Sequence, residues 1–135
     1  MQEIVSALLV YGQEEPLGAL DLILRQQLVK TCRAETCQEA ACPLDRADPP
    51  HLVFTDATLP DGTWQDILGI AAKAREAVNV VVVARFMDFQ LYFETMEAGV
   101  CDFIIPPFRA PDLAHVVVCA MEGVVNRRGG HAHAA

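Results

Sequence analysis

Apolar runs of strand length alternate with segments of helical period along the whole chain. That alternation predicts an α/β domain, a parallel sheet with helices on both faces. Ile4 to Tyr11 reads as the first strand, Gly12 to Glu15 as a turn, and Pro16 to about Val29 as a helix. Pro16 stands in the first turn of that helix, and Leu17, Leu20, Leu22, Leu24 and Leu28 supply its apolar faces. Lys30 to Ala34 reads as a weak second strand, followed by a short helix around Cys37 to Cys42 and a surface loop from Pro43 to Pro50.

His51 to Thr55 forms the third strand and runs into Asp56; the turn Leu59-Pro60-Asp61-Gly62 then leads to a helix from about Trp64 to Glu76. Val78 to Ala84 carries five valines in six residues, a β-branched continuity that predicts burial on both faces at the sheet centre. Asp88 to Ala98 is a helix stopped by Gly99, and Cys101 to Ile105 is the fifth strand. Pro106-Pro107 breaks the chain, and Pro111 to about Asn126 is the last helix. The expected division is one domain over residues 1–127 and a flexible Gly, His and Ala tail over 128–135, with no internal repeat and no second domain.

Composition narrows the class. A chain of 135 residues can bury a core without disulfides or metal, and 53% hydrophobic against 21% charged residues is too apolar for disorder. The net charge of −8, with no basic stripe, argues against nucleic-acid binding. No stretch is long enough to span a membrane and Met1-Gln2-Glu3 does not open a signal peptide, so a cytoplasmic location is expected. The five cysteines form no C-x-x-C pair, and buried reduced thiols are the expectation. His131 and His133 form a His-x-His pair that is more often inert than a metal site.

In an open parallel sheet, ligand sites gather beyond the carboxyl ends of the central strands. Asp56, Ala84, Gly12 and Pro106 should all lie on that edge. Here Asp56-Ala-Thr-Leu-Pro-Asp-Gly62 resembles the phosphoacceptor turn of the receiver domains of two-component response regulators. Ala98-Gly99-Val-Cys-Asp102-Phe-Ile-Ile-Pro-Pro-Phe108 resembles the same family's fifth-strand signature. The resemblance covers Leu8 to about Val125 and implies the flavodoxin-like receiver fold, a doubly wound five-stranded parallel sheet of order 2-1-3-4-5.

The resemblance also implies an apparatus, a carboxylate that attacks a phosphohistidine, a divalent cation, a Lys and a mobile hydroxyl. Asp56 matches the phosphoacceptor. Ala84 stands where the hydroxyl is expected, and Pro106 where the Lys is expected. Phe103 occupies the place of the mobile aromatic; with no hydroxyl to follow, it is expected to be a fixed anchor. The acidic pair after the first strand is displaced to Glu14 and Glu15, so a metal set of Asp56 and Glu14 is thin, and Mg²⁺ binding is expected to be weak or nil, with no other cofactor. Arg85, beside Ala84, is a nearby cation that would partly replace the Lys, although a solvated loop residue is the commoner outcome. The turn is expected to hold a cis bond before Pro107.

The family implies partner contacts through the fourth helix, fifth strand and fifth helix. Phe89 and Phe93 on the fourth helix flank Tyr92, Thr95 and Met96, which should face the sheet. The fifth helix carries a core stripe and a second apolar stripe of Ala114, Val118 and Val125. These residues predict a docking face for a protein partner or a second copy.

Two functions follow. In the first, the chain is a non-enzymatic single-domain pseudo-receiver that signals by protein-protein interaction, independently of phosphorylation. In the second, it is a phosphorelay phosphoprotein, modified on Asp56 by a histidine kinase. A nucleotide- or flavin-binding protein of the same architecture would need a phosphate-cradling turn, where Glu14 and Glu15 repel phosphate.

Overall fold

The computed structural model describes the backbone of residues 4–133 and the side chains of residues 4–129. The strands β1 (Ser6–Val10), β2 (Lys30–Ala34), β3 (Leu52–Asp56), β4 (Asn79–Val83) and β5 (Asp102–Ile104) form one sheet in the order 2-1-3-4-5. Every neighbouring pair in it is parallel. The helices are α1 (Leu17–Gln26), α2 (Cys37–Leu44), α3 (Trp64–Ala72), α4 (Phe89–Ala98) and α5 (Ala110–His133). A small antiparallel ribbon, Thr58–Leu59 with Gly62–Thr63, folds over the end of β3.

Strand alternation divides the core between the two faces. Ala7, Leu9, Leu52, Phe54, Val81 and Val83 meet α1 and α5 on one face, through Leu17, Leu20 and Leu24 and through Leu113, Val117, Ala120 and Val124. Leu8, Val10, Val53 and Val80 meet α2 and α3 on the other. A third cluster of Trp64, Val82, Ala84, Val100 and Phe103 sits under α4 on that second face. The central valines are buried, as their continuity predicts.

Several helix ends differ from expectation: α2 runs on to Leu44 and takes in Pro43, and α3 stops at Ala72, short of Glu76. α1 stops at Gln26 because Leu28 adopts a left-handed conformation at φ 64, closing the helix with bonds from Leu28 N–H to the Arg25 carbonyl and from Val29 N–H to the Leu24 carbonyl. That is a Schellman close with leucine in the place glycine usually takes. Leu28 is 87% exposed and Leu22 is exposed too, so neither joins the apolar face expected of them.

α5 runs on to His133, past its expected end at Asn126. Arg128, expected in the tail, donates to the carbonyls of Ala77 at 2.8 Å, Pro49 at 3.2 Å and Pro50 at 3.1 Å. Beside it, Arg127 bonds the side-chain oxygen of Asn79. These contacts anchor the helix to the amino edge of the sheet. The side chains of His131 and His133 lie outside the described residues.

α4 begins and ends as predicted, with the Asp88 side chain accepting from Leu91 N–H at 3.1 Å and Gly99 closing it at φ 97. The peptide bond before Pro107 is cis, and so is the one before Pro16. All five cysteines are free, yet Cys32, Cys42 and Cys119 are exposed and Cys101 is partly so, leaving Cys37 as the buried thiol. The expectation of buried cysteines fails because most of them fall on outward flanks of otherwise amphipathic elements.

Candidate functional site

Parallel pairing sends every strand's carboxyl end to one edge, and there Gly12, Asp56 and Ala84 converge, while Pro106 does not line the cleft they form. A cleft of about 690 Å³ opens on that edge, lined by Asp56, Ala84 and Gly12 together with Gln13, Arg85 and Phe86 and by the ribbon residues Leu59 and Pro60. Asp56 ends β3, in register with Val83 of β4, and is 9% exposed. Burial raises its carboxyl above the ordinary range, against the nearby Arg85 guanidinium and the Ala57 N–H, which both pull it down.

Ala84 packs with Trp64 and Phe103 in the cluster beneath the cleft, and its N–H donates to the Ile104 carbonyl at 3.0 Å. It presents only a methyl group where the receiver resemblance asks for a hydroxyl. Pro106, beyond the end of β5, has neither charge nor N–H. Phe103 is buried, with its ring edge-on to Tyr92 at a centroid distance of 5.8 Å.

Glu14 is not brought to Asp56. Its carboxylate pairs with Arg33 at 3.4 Å on the outer side of the β1–α1 loop. Gln13 takes the inward place, and its side-chain oxygen accepts a hydrogen bond from Arg85 across the mouth of the cleft. Among the described residues, no group of three or more His, Cys, Asp or Glu side chains is placed to hold a metal ion. Arg85 is thus a cleft residue, although its rim position also fits the solvated loop side chain expected of it. Gln13 is not a carboxylate, so the receiver resemblance does not point to it; its place directly after Gly12 is the sequence signal for its position.

Asp61 ties the Asp56 turn to α2. Its carboxylate accepts from the N–H groups of Cys37 at 2.8 Å and Gln38 at 3.1 Å, which caps α2 from the Asp56 turn. The Cys37 N–H holds that carboxyl below its ordinary range, while burial, with Asp61 beside it, pushes the Cys37 thiol up to about 11.

The apolar surface falls into two patches. On α4, Phe89 and Phe93 are 67% and 63% exposed, joined by Phe86, Met87 and Met96. Met96, expected to face the sheet, points outward, while Thr95 is fully buried. On α5, Ala114, Val118 and Val125 are exposed, as expected. Val118 and Val125, however, line a groove with Val5 and Met121. The other flank of α5 is the one turned toward β4 and β5, where Asn79 bonds the Ala120 carbonyl at 2.8 Å and Val116 lies beside Ile104 and Ile105.

The comparisons agree on the architecture. A receiver domain from Clostridium thermocellum superposes with a TM-score of 0.77 over 89% of this chain and 96% of its own, at 18% identity. This is the receiver-domain fold. The non-phosphorylated receiver domain of HemR from Leptospira biflexa superposes with a TM-score of 0.70 at 25% identity, over 87% of this chain and 94% of that one. In sequence, the receiver-like chain is 25% identical over 115 residues to the response regulator protein PilR of Pseudomonas aeruginosa, matching 85% of itself and 26% of PilR. No family model matches the chain. No helix among the described residues is long and apolar enough to cross a membrane.

Proposed function

We propose that this receiver-like chain works in two-component signal transduction as an interaction module whose output does not depend on phosphorylation of Asp56. The observation that carries the reading is the content of the cleft. Asp56 is accompanied there by a methyl group at Ala84 and a guanidinium bonded to an amide at Arg85 and Gln13. Switching by a phosphorylated aspartate needs a hydroxyl that can follow the new oxygens, and the Ala84 methyl offers none. Phe103, packed against Tyr92 beneath Ala84, then has nothing to follow.

The output surface in this reading is the exposed face of α4, where Phe89, Phe93 and Met96 recur at helical spacing. A protein partner or a second copy of the chain would bury these rings. The reading is tested by incubating the chain with a small acyl phosphate and Mg²⁺, then measuring intact mass and sedimentation. The expected result is an unmodified protein whose association is unchanged by the donor and weakened by Phe93→Glu. A stable phosphoryl adduct, lost in Asp56→Ala and accompanied by a change in association, would overturn it.

Asp56 favours the second reading, a working phosphoacceptor served by a histidine kinase. It keeps its position at the end of β3, and Arg85 supplies a positive charge nearby. The same experiment decides between them.

A further inference from the structure

The receiver resemblance implies a divalent cation beside Asp56, and the residues in this cleft do not fit one. Mg²⁺ takes oxygen ligands in a near-octahedral array, usually with one or two carboxylates among them. The Glu14 carboxylate is engaged by Arg33, the Asp88 carboxylate caps α4 through Leu91, and the Gln13 side-chain oxygen is occupied by Arg85. Arg85 also brings a full positive charge to the rim, which repels a second cation.

We propose that Arg85, clasped by Gln13, is the tethered cation of this cleft, occupying the electrostatic place of the divalent ion and joining the loop after β1 to the loop after β4. The two residues are 72 positions apart in sequence, so one hydrogen bond ties two loops that the sheet brings to the same cleft. The clasp also reaches the output surface. Arg85 leads directly into Phe86, Met87 and the Asp88 cap, so holding the guanidinium sets the start of the helix that carries Phe89 and Phe93. A guanidinium suits the task because it stays charged at all working pH values and bonds in a fixed plane.

This inference deepens the phosphorylation-independent reading, yet its first test contains neither metal nor phosphoryl group, so each can fail alone. Hydrogen exchange is followed at the amides of Leu91 and Tyr92, both bonded to Asp88, in the full chain, in Arg85→Met, in Gln13→Ala and in the double variant. Both side chains lie at the rim, so each single change is expected to speed exchange by only about two- to fivefold, with the double variant no faster than either. Unchanged rates, or effects that add, would overturn the clasp. The second test titrates Mn²⁺ alone, read by water-proton relaxation. Gln13→Asp with Arg85→Met adds a carboxylate and removes the competing charge, and should bind Mn²⁺ at least about tenfold more tightly than the wild type. A wild-type chain that binds Mn²⁺ as tightly as this variant would contradict the assignment.

Discussion

The rings of Tyr92 and Phe103 stand edge to face, with centroids 5.8 Å apart and planes at 84°. Phe103 lies in the same buried cluster as Ala84 and Trp64, directly beneath the cleft. An aromatic pair in this geometry contributes about 0.5–1.5 kcal/mol beyond its buried area. Phe103 is therefore an anchor between the sheet and α4. Phe103→Ala should lower stability by about 3 kcal/mol in urea unfolding, since a cavity opens in a packed cluster. A loss near zero would mean that the ring is free to leave.

Asp56 carries a cost of ionisation in the folded state. Its folded carboxyl lies above the unfolded value of 3.8, chiefly because of burial. The folded state therefore binds the proton more tightly, and this contribution to stability is fully present below pH 3.8 and lost as pH rises through the folded value. Asp56→Asn, which stays uncharged, should be more stable than the wild type at pH 7, with the difference narrowing as pH falls through the folded value and levelling off below 3.8. Chemical denaturation across pH measures it. A difference that widens toward acid would reverse the sign.

Leu28 sits at φ 64 with 87% of its surface exposed, so the leucine side chain adds strain and little burial. Leu28→Gly should stabilise the chain by about 0.5–1 kcal/mol, because glycine adopts this conformation without a Cβ clash. A thermal melt is sufficient to check it. Destabilisation would mean that the leucine makes contacts that offset the strain.

Arg128 satisfies three backbone carbonyls at the amino edge of the sheet. Arg128→Ala should cost about 1.5–3 kcal/mol, the range for hydrogen bonds made by a charged group. The same variant should speed hydrogen exchange along the end of α5 more than at its start. Uniform exchange along the helix would contradict the anchoring role.

The sheet was legible because its signals are local. Val80 to Val83 can only be comfortable with both faces covered, and the Asp88 and Gly99 caps bound α4 at the predicted residues. Asp56 was legible because a turn of fixed spacing follows it. What escaped was sidedness and long-range pairing. The core stripe Leu113, Val117, Ala120 and Val124 fixes which side of α5 is buried, but not that Val118 and Val125 share a groove with Val5. Arg85 is legible as a cation beside Ala84, but its partner Gln13 is an ordinary loop residue until the parallel strands bring the two loops to one edge. Arg128 looked like the start of a tail because its carbonyl partners near Pro49 and Ala77 are far away in sequence.

Trp64 provides the most direct test of the central claim. It is the single tryptophan, it is buried, and its backbone N–H donates to the carbonyl of Ala57, next to Asp56, at 3.1 Å. Its fluorescence should report any rearrangement of the Asp56 loop. Titration with beryllofluoride in the presence of Mg²⁺ should leave the emission of the wild type flat and equal to that of Asp56→Ala. A saturable change in the wild type that Asp56→Ala abolishes would contradict the account and identify a working phosphorylation switch.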